Sequence, residues 1–463
     1  MTSVGPSVAA VARRHGGASI VWLRDDLRLA DNPALVAAVD RGEPVIVLFV
    51  LDDVSSGIRP LGAAARWWLH GSLAALDARL RDLGGSLTLR RGPAEEVLPA
   101  LVAETDAGAV LWNRRDGAAR EIDTRLKQRL RDDGLEARSF HANLLFEPWS
   151  VTTREGTPFR VFTPFWNAAR QLPVRSPLPA PTALDFASAT SDSLDAWQLL
   201  PTRPDWAAGL RNAWVPGETA AIEALDTFVD EHLDDYHRRD EPGIQATSRL
   251  SPRLHFGELS PFTVWERLHG PMSASARKNV PKFLSEVGWR EFNWSILFHA
   301  PDLAERSYRP AYDAFPWGEA DPDQLRAWQT GRTGIPLVDA GMRELWQTGT
   351  MHNRVRMVVA SFLVKNLLVD WRVGEKWFWN TLVDADEASN PGNWQWVAGS
   401  GADAAPYFRV FNPALQAEKF DHDLRYVRRW IPEFDSADYP APIVDLAQTR
   451  RAALAAFDTM KHA

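Results

Sequence analysis

The sequence predicts two domains of different class, a doubly wound parallel α/β sheet followed by an all-α domain, and three observations predict them. The chain has 463 residues, long for a single core. From Ser19 to about Phe146, short β-branched runs alternate with amphipathic segments. From Gly217 onward the apolar period is helical almost throughout.

Taken in order, residues 1–17 have no apolar run that would make a secretory signal, and a disordered tail is expected there. Residues 18–146 hold the strand candidates SIVWL, VIVLFV, SLTLR, AVLW and EARSF, separated by helical stretches such as RWWLHGSLAALDARLRDLG and AREIDTRLKQRLRDDG. Strand, helix and strand at this spacing give a Rossmann-like sheet. No Gly-x-Gly-x-x-Gly follows the first strand, so no dinucleotide site is supported there. Residues 147–216 are expected as a linker, because 171–216 are rich in Pro, Ser, Ala and Asp without a sustained period. Residues 217–463 form the helical domain, with long amphipathic stretches such as ETAAIEALDTFVDEHLDDYHRR and NRVRMVVASFLVKNLLVDW. In TSRLSPRLHFGELSP, at 247–261, Ser251 is placed as N-cap with Pro252 at the first helical position, and Ser260-Pro261 repeats the device.

Composition removes whole classes of chemistry. There is no cysteine, which excludes disulfides, thiolate metal sites and cysteine nucleophiles and suits a cytoplasmic protein. The apolar runs VIVLFVL and MVVASFLV are far shorter than the roughly twenty residues that cross a bilayer, so a soluble protein is expected. A net charge of −8 speaks against a general nucleic-acid coat but leaves room for a local basic patch. Only seven of the 52 basic residues are lysine, and arginine is the better residue for bidentate phosphate contacts. Ten of the 21 tryptophans lie between Trp289 and Trp396.

Chemistry-bearing residues gather in the helical domain. LVDADEASNPGNWQW, at 382–396, brings two aspartates, an Asn-Pro-Gly-Asn turn and two indoles into fifteen positions. Asn353 and Met357 share a helix face by i, i+4 spacing. Arg356, beside an apolar run, wants a carboxylate, and Asp384 or Asp386 could supply it. Glu286 and Trp289 share another face, and the helix start near Thr247, Ser248 and Arg249 could hold a phosphate.

Together the segments VWLRDDLRLADNPAL, FRVFTPFW, TSRLSPRLHFGELSP, WREF, GRTGIPLVDAGMREL, MHNRVRMVVASFLVKNLLVDW, DADEASNPGNWQWVAGSGADAAPYFRVFNP and EKFD resemble the DNA photolyase and cryptochrome family, from about residue 19 to about 448. The likeness is greatest to bacterial cyclobutane pyrimidine dimer photolyases. It implies an N-terminal antenna domain and a C-terminal domain holding FAD, active when reduced. It assigns Tyr236, Thr247, Ser248, Arg249, Leu250 and Ser251 to the FAD phosphates and ribityl chain, and Asn353, Arg356, Asp384, Asp386 and Asn390 to the isoalloxazine and ribose. Trp394, Trp371 and Trp317 match the family's chain of electron-carrying tryptophans. Glu286, Trp289, Asn353, Met357 and Trp396 match the pocket for a flipped-out dimer, with Asn390 facing the flavin's reactive nitrogen. Arg239, Arg290, Arg354 and Arg409 fall where the family contacts DNA phosphates. No metal is implied. The partner implied is UV-damaged DNA, bound by a monomer without a membrane.

Two related readings compete with dimer repair, a light-signalling cryptochrome and a (6-4) photoproduct photolyase. Plant cryptochromes carry Asp at the position of Asn390. The (6-4) enzymes place histidine at the position of Asn353 and lack Met357. Thr350 stands where photolyases usually carry an aromatic residue, and DGAARE follows LWNRR where the family often shows an aromatic-Glu pair against a folate. The antenna is therefore open between methenyltetrahydrofolate, 8-hydroxy-5-deazaflavin and none.

Overall fold

A computed structural model describes residues 16–405 and 407–462, so the expected tail lies outside the described residues up to position 15. The chain divides into two compact units. The first comprises residues up to Pro60, Leu73–Asn143 and Pro177–Trp197, and the second Leu61–Ser72, Leu144–Ser176 and the residues from Gln198 onward.

In the first unit, β1 (Ser19–Leu23), β2 (Val45–Leu51), β3 (Leu87–Arg91), β4 (Ala109–Asn113) and β5 (Glu136–Phe140) form a parallel sheet of order β3-β2-β1-β4-β5. The helices α1 (Pro33–Asp40), α2 (Ala63–Asp82), α3 (Ala94–Thr105) and α4 (Ala119–Asp132) alternate with the strands, and the first half of α2 counts in the second unit. β1, β2 and β4 are buried along their whole length, which is why they read as continuous apolar runs. Trp22 and Trp112 lie opposite each other across β1 and β4, in a core with Leu98 and Leu101 of α3 and Leu126 and Leu130 of α4.

The strand order reverses between β1 and β4, the place where such sheets commonly bind ligands. A buried polar knot stands there. Arg24 pairs with Asp123 at 3.1 Å, and Asn113 donates to Asp26 at 2.6 Å and to Asn32 at 2.9 Å. Burial pulls the Arg24 guanidinium down to about 10 and pushes the Asp26 carboxyl up.

The second unit is helical: α5 (Phe162–Ala169), α6 (Ala208–Ala213), α7 (Glu218–Thr227), α8 (Ser251–His255), α9 (Pro261–His269), α10 (Ala274–His299), α11 (Pro322–Thr330), α12 (Pro336–Thr348), α13 (Asn353–Ser361), α14 (Trp371–Thr381), α15 (Ser389–Ala398), α16 (Pro413–Phe420), α17 (Arg425–Trp430) and α18 (Leu446–His462). Two apolar clusters hold it. One gathers Phe165, Phe228, Phe283 and Phe292. The other gathers Trp328, Val358, Phe362, Trp371, Phe378 and Trp394. Among the described residues, no helix is long and apolar enough to cross a membrane.

The stretch 147–216 departs from the linker expected of it. It contains α5, α6 and a buried Trp197, while Pro177–Trp197 belong to the first unit. Its backbone is tied down without periodic structure, as where Val45 N–H donates to Asp185 O at 2.7 Å and Ala187 N–H to Val45 O at 3.1 Å. The two long helical stretches also break. After α7 the chain passes through a π-turn (Phe228–His232) into a 3-10 turn (Leu233–Arg238). After α13 a π-turn (Phe362–Asn366) leads to Leu368 at φ +52°, and Asp370 then accepts the Arg372 N–H to start α14. Such turns are common where a functional side chain must be re-aimed.

Candidate active site

The segment between α14 and α15 supplies the polar centre. Asp384, nearly buried, accepts from Ser251 Oγ at 2.5 Å and from Arg356 Nη2 at 3.0 Å. Arg356 thus finds its carboxylate in Asp384. It also donates to Met351 O at 2.7 Å and Thr350 Oγ1 at 3.2 Å, so a small hydroxyl at 350 serves as one of its acceptors. Asp386 accepts the N–H groups of Ala388 and Ser389 and closes the turn ahead of α15. Ser251 does not act as the expected N-cap. It is the first residue of α8, after Leu250, so it lies one position past the cap, and its hydroxyl donates to Asp384 instead. Ser260 does cap α9, accepting from Phe262 N at 3.1 Å.

Asn390 is oriented by a residue that sequence reading missed. Its Nδ2 donates to Glu375 Oε1 at 2.8 Å and to Glu375 O at 3.1 Å, two acceptors that fix which way the amide points. Oδ1 is left to serve as an acceptor on the other side. That is the polarity a ring N–H requires, and with the Asp384 and Asp386 carboxylates, Ser251 and Arg356 this set fits the polar edges of FAD.

Nearby, Arg249 adopts φ +53°, exposed but with its guanidinium 4.2 Å from the Trp214 ring centre. Ser248 Oγ accepts from Leu250 N at 3.4 Å, Leu250 is buried and Thr247 is half-buried. Tyr236 is buried on Phe228 and Phe283, and desolvation pushes its phenol up.

The expected pocket residues stand on helices that meet, since α15 packs against both α10 and α13. The approach is close: a Cβ at Gly392 would come within 2.7 Å of Asn293 Oδ1. Trp289 on α10 is stacked on Phe162 at 4.0 Å and 9°, a partner that only the tertiary fold reveals. Trp396 donates from Nε1 to Asp403 O at 3.1 Å, which fixes its ring. Asn353 is exposed at the start of α13, and Met357 is half-buried one turn on. Glu286 pairs with Lys282 at 2.9 Å and Arg239 at 3.8 Å. His352 is the N-cap of α13, its Nδ1 accepting from Arg354 N at 3.3 Å, and burial pushes its pKa down to about 4.

Trp394 and Trp371 are buried in one core cluster, with Trp317 partly buried at its margin. Trp394 meets Phe378 edge-on at 4.9 Å, and Trp317 lies 4.3 Å from Phe315. Three of the four candidate phosphate-binding arginines have carboxylate neighbours: Arg239 has Glu286, Arg290 has Glu291 at 3.2 Å, and Arg354 has Asp240 at 3.0 Å. Arg409 differs. It donates to Tyr407 OH at 3.0 Å and lies within 6 Å of the Trp396, Tyr407 and Phe411 ring centres. Glu291 also went unseen in the sequence, where it is one acid in WREF. It is fully buried and accepts from Phe146 N at 3.1 Å.

The family described as DNA photolyase matches residues 19–182, and the FAD binding domain of DNA photolyase matches residues 283–438. A deoxyribodipyrimidine photo-lyase of Agrobacterium fabrum is 49% identical over 96% of this chain and 98% of its own length. Cryptochrome-1 of Arabidopsis thaliana is 41% identical over 90% of this chain, which spans 63% of that protein. Among solved structures, a bacterial class III photolyase from Agrobacterium tumefaciens superposes with a TM-score of 0.92 at 47% identity, covering 99% of this chain and 100% of that one. An archaeal photolyase from Sulfolobus tokodaii, solved with two FAD molecules, gives a TM-score of 0.82 at 30% identity, covering 96% of this chain and 100% of that one. With α/β and helical units in the family's order and an FAD-binding segment matched along α10 to α17, the chain belongs to the DNA photolyase and cryptochrome family.

Proposed function

We propose that the protein repairs cyclobutane pyrimidine dimers in UV-damaged DNA under blue or near-ultraviolet light. The observation that carries this reading is that α15, which bears Asn390 and Trp396, packs against both α10, which bears Glu286 and Trp289, and α13, which bears Asn353 and Met357. Reduced FAD, when bound, supplies the light absorption and the single electron. Ser251, Arg356, Asp384, Asp386 and Asn390 would hold it, with Tyr236 and residues 247–250 alongside.

The chain's own residues bind, orient and exclude water. Trp289, backed by Phe162, and Trp396, fixed through Asp403, offer rigid aromatic surface to an unstacked base pair lesion. The Glu286 carboxylate, once Lys282 and Arg239 yield it, can accept from a ring N–H of the lesion and so orient it. Trp394, Trp371 and Trp317 are proposed to carry an electron inward from solvent.

His352 bears on the choice of lesion. Reversing a (6-4) adduct requires transfer of a hydroxyl or amino group and hence a proton donor. His352 is neutral near pH 7 and spent on capping α13, while Asn353 occupies the neighbouring position. The test is illumination of reduced protein with two oligonucleotides, one carrying each lesion. Restoration of the cyclobutane dimer alone is expected. Restoration of neither lesion by protein whose flavin is reduced would favour the second reading, signalling, to which the likeness to cryptochrome-1 points.

A further inference from the structure

Arg354 sits beside Asn353 at the start of α13, and its guanidinium is enclosed on two sides. The Phe420 ring centre is 4.4 Å from it, and Asp240 Oδ1 is 3.0 Å from Nη2. Nε is buried with no acceptor. The two partners differ in exposure: the Arg354 side chain retains 19% of its accessible surface and the Asp240 side chain 40%. The acid is the outer member of the pair, and it reaches Arg354 from the segment that follows the 3-10 turn bearing Tyr236. A carboxylate and a phosphate offer an arginine the same thing, two anionic oxygens in a plane that matches the guanidinium fork.

Resting on the reading of this face as the DNA-binding face, we propose that Asp240 stands in for a DNA phosphate on Arg354 in the free protein and is exchanged for one when DNA binds. The pair holds the guanidinium over the Phe420 ring, ready for a phosphate, while cancelling its charge. Two consequences follow from ion binding. A phosphate that pairs with Arg354 sheds its condensed cation, but the Asp240 carboxylate displaced in the exchange takes one up, so Arg354 adds less to the salt dependence of DNA binding than an arginine without a carboxylate partner would. The phosphate must also displace the carboxylate, which lowers affinity by about fivefold, the worth of a partly exposed ion pair.

The experiment measures binding of a dimer-containing duplex by the FAD-loaded protein across a salt series, for the parent, Asp240→Asn, Asp240→Glu, Arg354→Ala and the double variant Asp240→Asn/Arg354→Ala. Flavin content and melting temperature identify any variant that has not folded, and the Glu variant keeps the proposal testable should Asn fail. Asp240→Asn is expected to bind about fivefold more tightly at low salt, with a slope of log affinity against log salt steeper by about 0.9. Asp240→Glu should keep the parental slope, and the double variant should match Arg354→Ala. An unchanged slope in Asp240→Asn overturns the proposal. So does a gain that persists without Arg354, which would make Asp240 a general source of repulsion. If the parent binds no DNA, the functional reading itself fails.

Discussion

Glu291 is a carboxylic acid sealed inside the helical unit, where burial pushes its pKa up to about 7 against the pull of Arg290 and the Leu145 and Phe146 N–H groups. An acid whose pKa is raised on folding binds its proton more tightly in the native state than in the unfolded chain. Its contribution to stability is therefore full below the ordinary carboxylate range and is lost as pH rises from about 4.5 towards 7, by about 3 kcal/mol in all. Glu291→Gln should remove that fall, so melting temperatures of parent and variant, compared from pH 5 to pH 8, should converge or cross as pH rises. Trp394 admits a second test at this scale. Trp394→Phe should abolish photoreduction by an external thiol or amine, while the chemically reduced protein still restores dimers; photoreduction at the parental rate would refute the electron route. Both residues show what was legible and what was not. The opposite charges of Arg356 and Asp384 could be matched from sequence because each needs the other. Glu291, Glu375 and Phe162 could not, because their partners lie 145, 15 and 127 positions away and nothing local marks them.

The strands of the first unit were readable because each is a short, fully buried apolar run between turns, and the predicted segments match β1 to β5 within a residue or two. Helices were readable as faces but not as lengths. The stretch from Asn353 to Trp371 keeps a helical period while its backbone switches to a π-turn and then bends at Leu368, since hydrophobic spacing does not register one extra residue per turn. Close approach between helices is equally silent in sequence. Gly374 of α14 is such a point, where a Cβ would stand 2.1 Å from Trp394 Cη2 and 2.7 Å from Leu363 Cδ2. Gly374→Ala is expected to cost about 1–3 kcal/mol through overpacking and to shift the Trp394 ring. The check is a lowered melting temperature together with slower photoreduction. A variant that melts and photoreduces like the parent would mean that α14 moves aside freely.

At the scale of the whole molecule, the acidic total and the carboxylates beside Arg239, Arg290 and Arg354 both weaken the field that DNA meets. Binding should still fall with salt, but with a slope well below that of four free arginines, and Arg409→Ala should lower it most, by about one. Equal losses in all four alanine variants would contradict this ranking. The path of the chain has a practical consequence of its own. The backbone changes unit at residues 61, 73, 144, 177 and 198, and Leu61–Ser72 belong with the helices. Within those twelve residues Trp68 Nε1 donates to Glu258 at 2.9 Å and Ser72 Oγ at 2.5 Å, while Gly217 N donates at 2.6 Å, so a carboxylate deep in the helical unit is satisfied partly from a segment far upstream. A recombinant fragment beginning at residue 144 would leave that carboxylate short of two donors and a buried indole missing from its core. Anyone grafting this helical unit onto a different partner domain must therefore carry residues 61–72 along with it, as an inserted segment rather than a clean cut at a boundary.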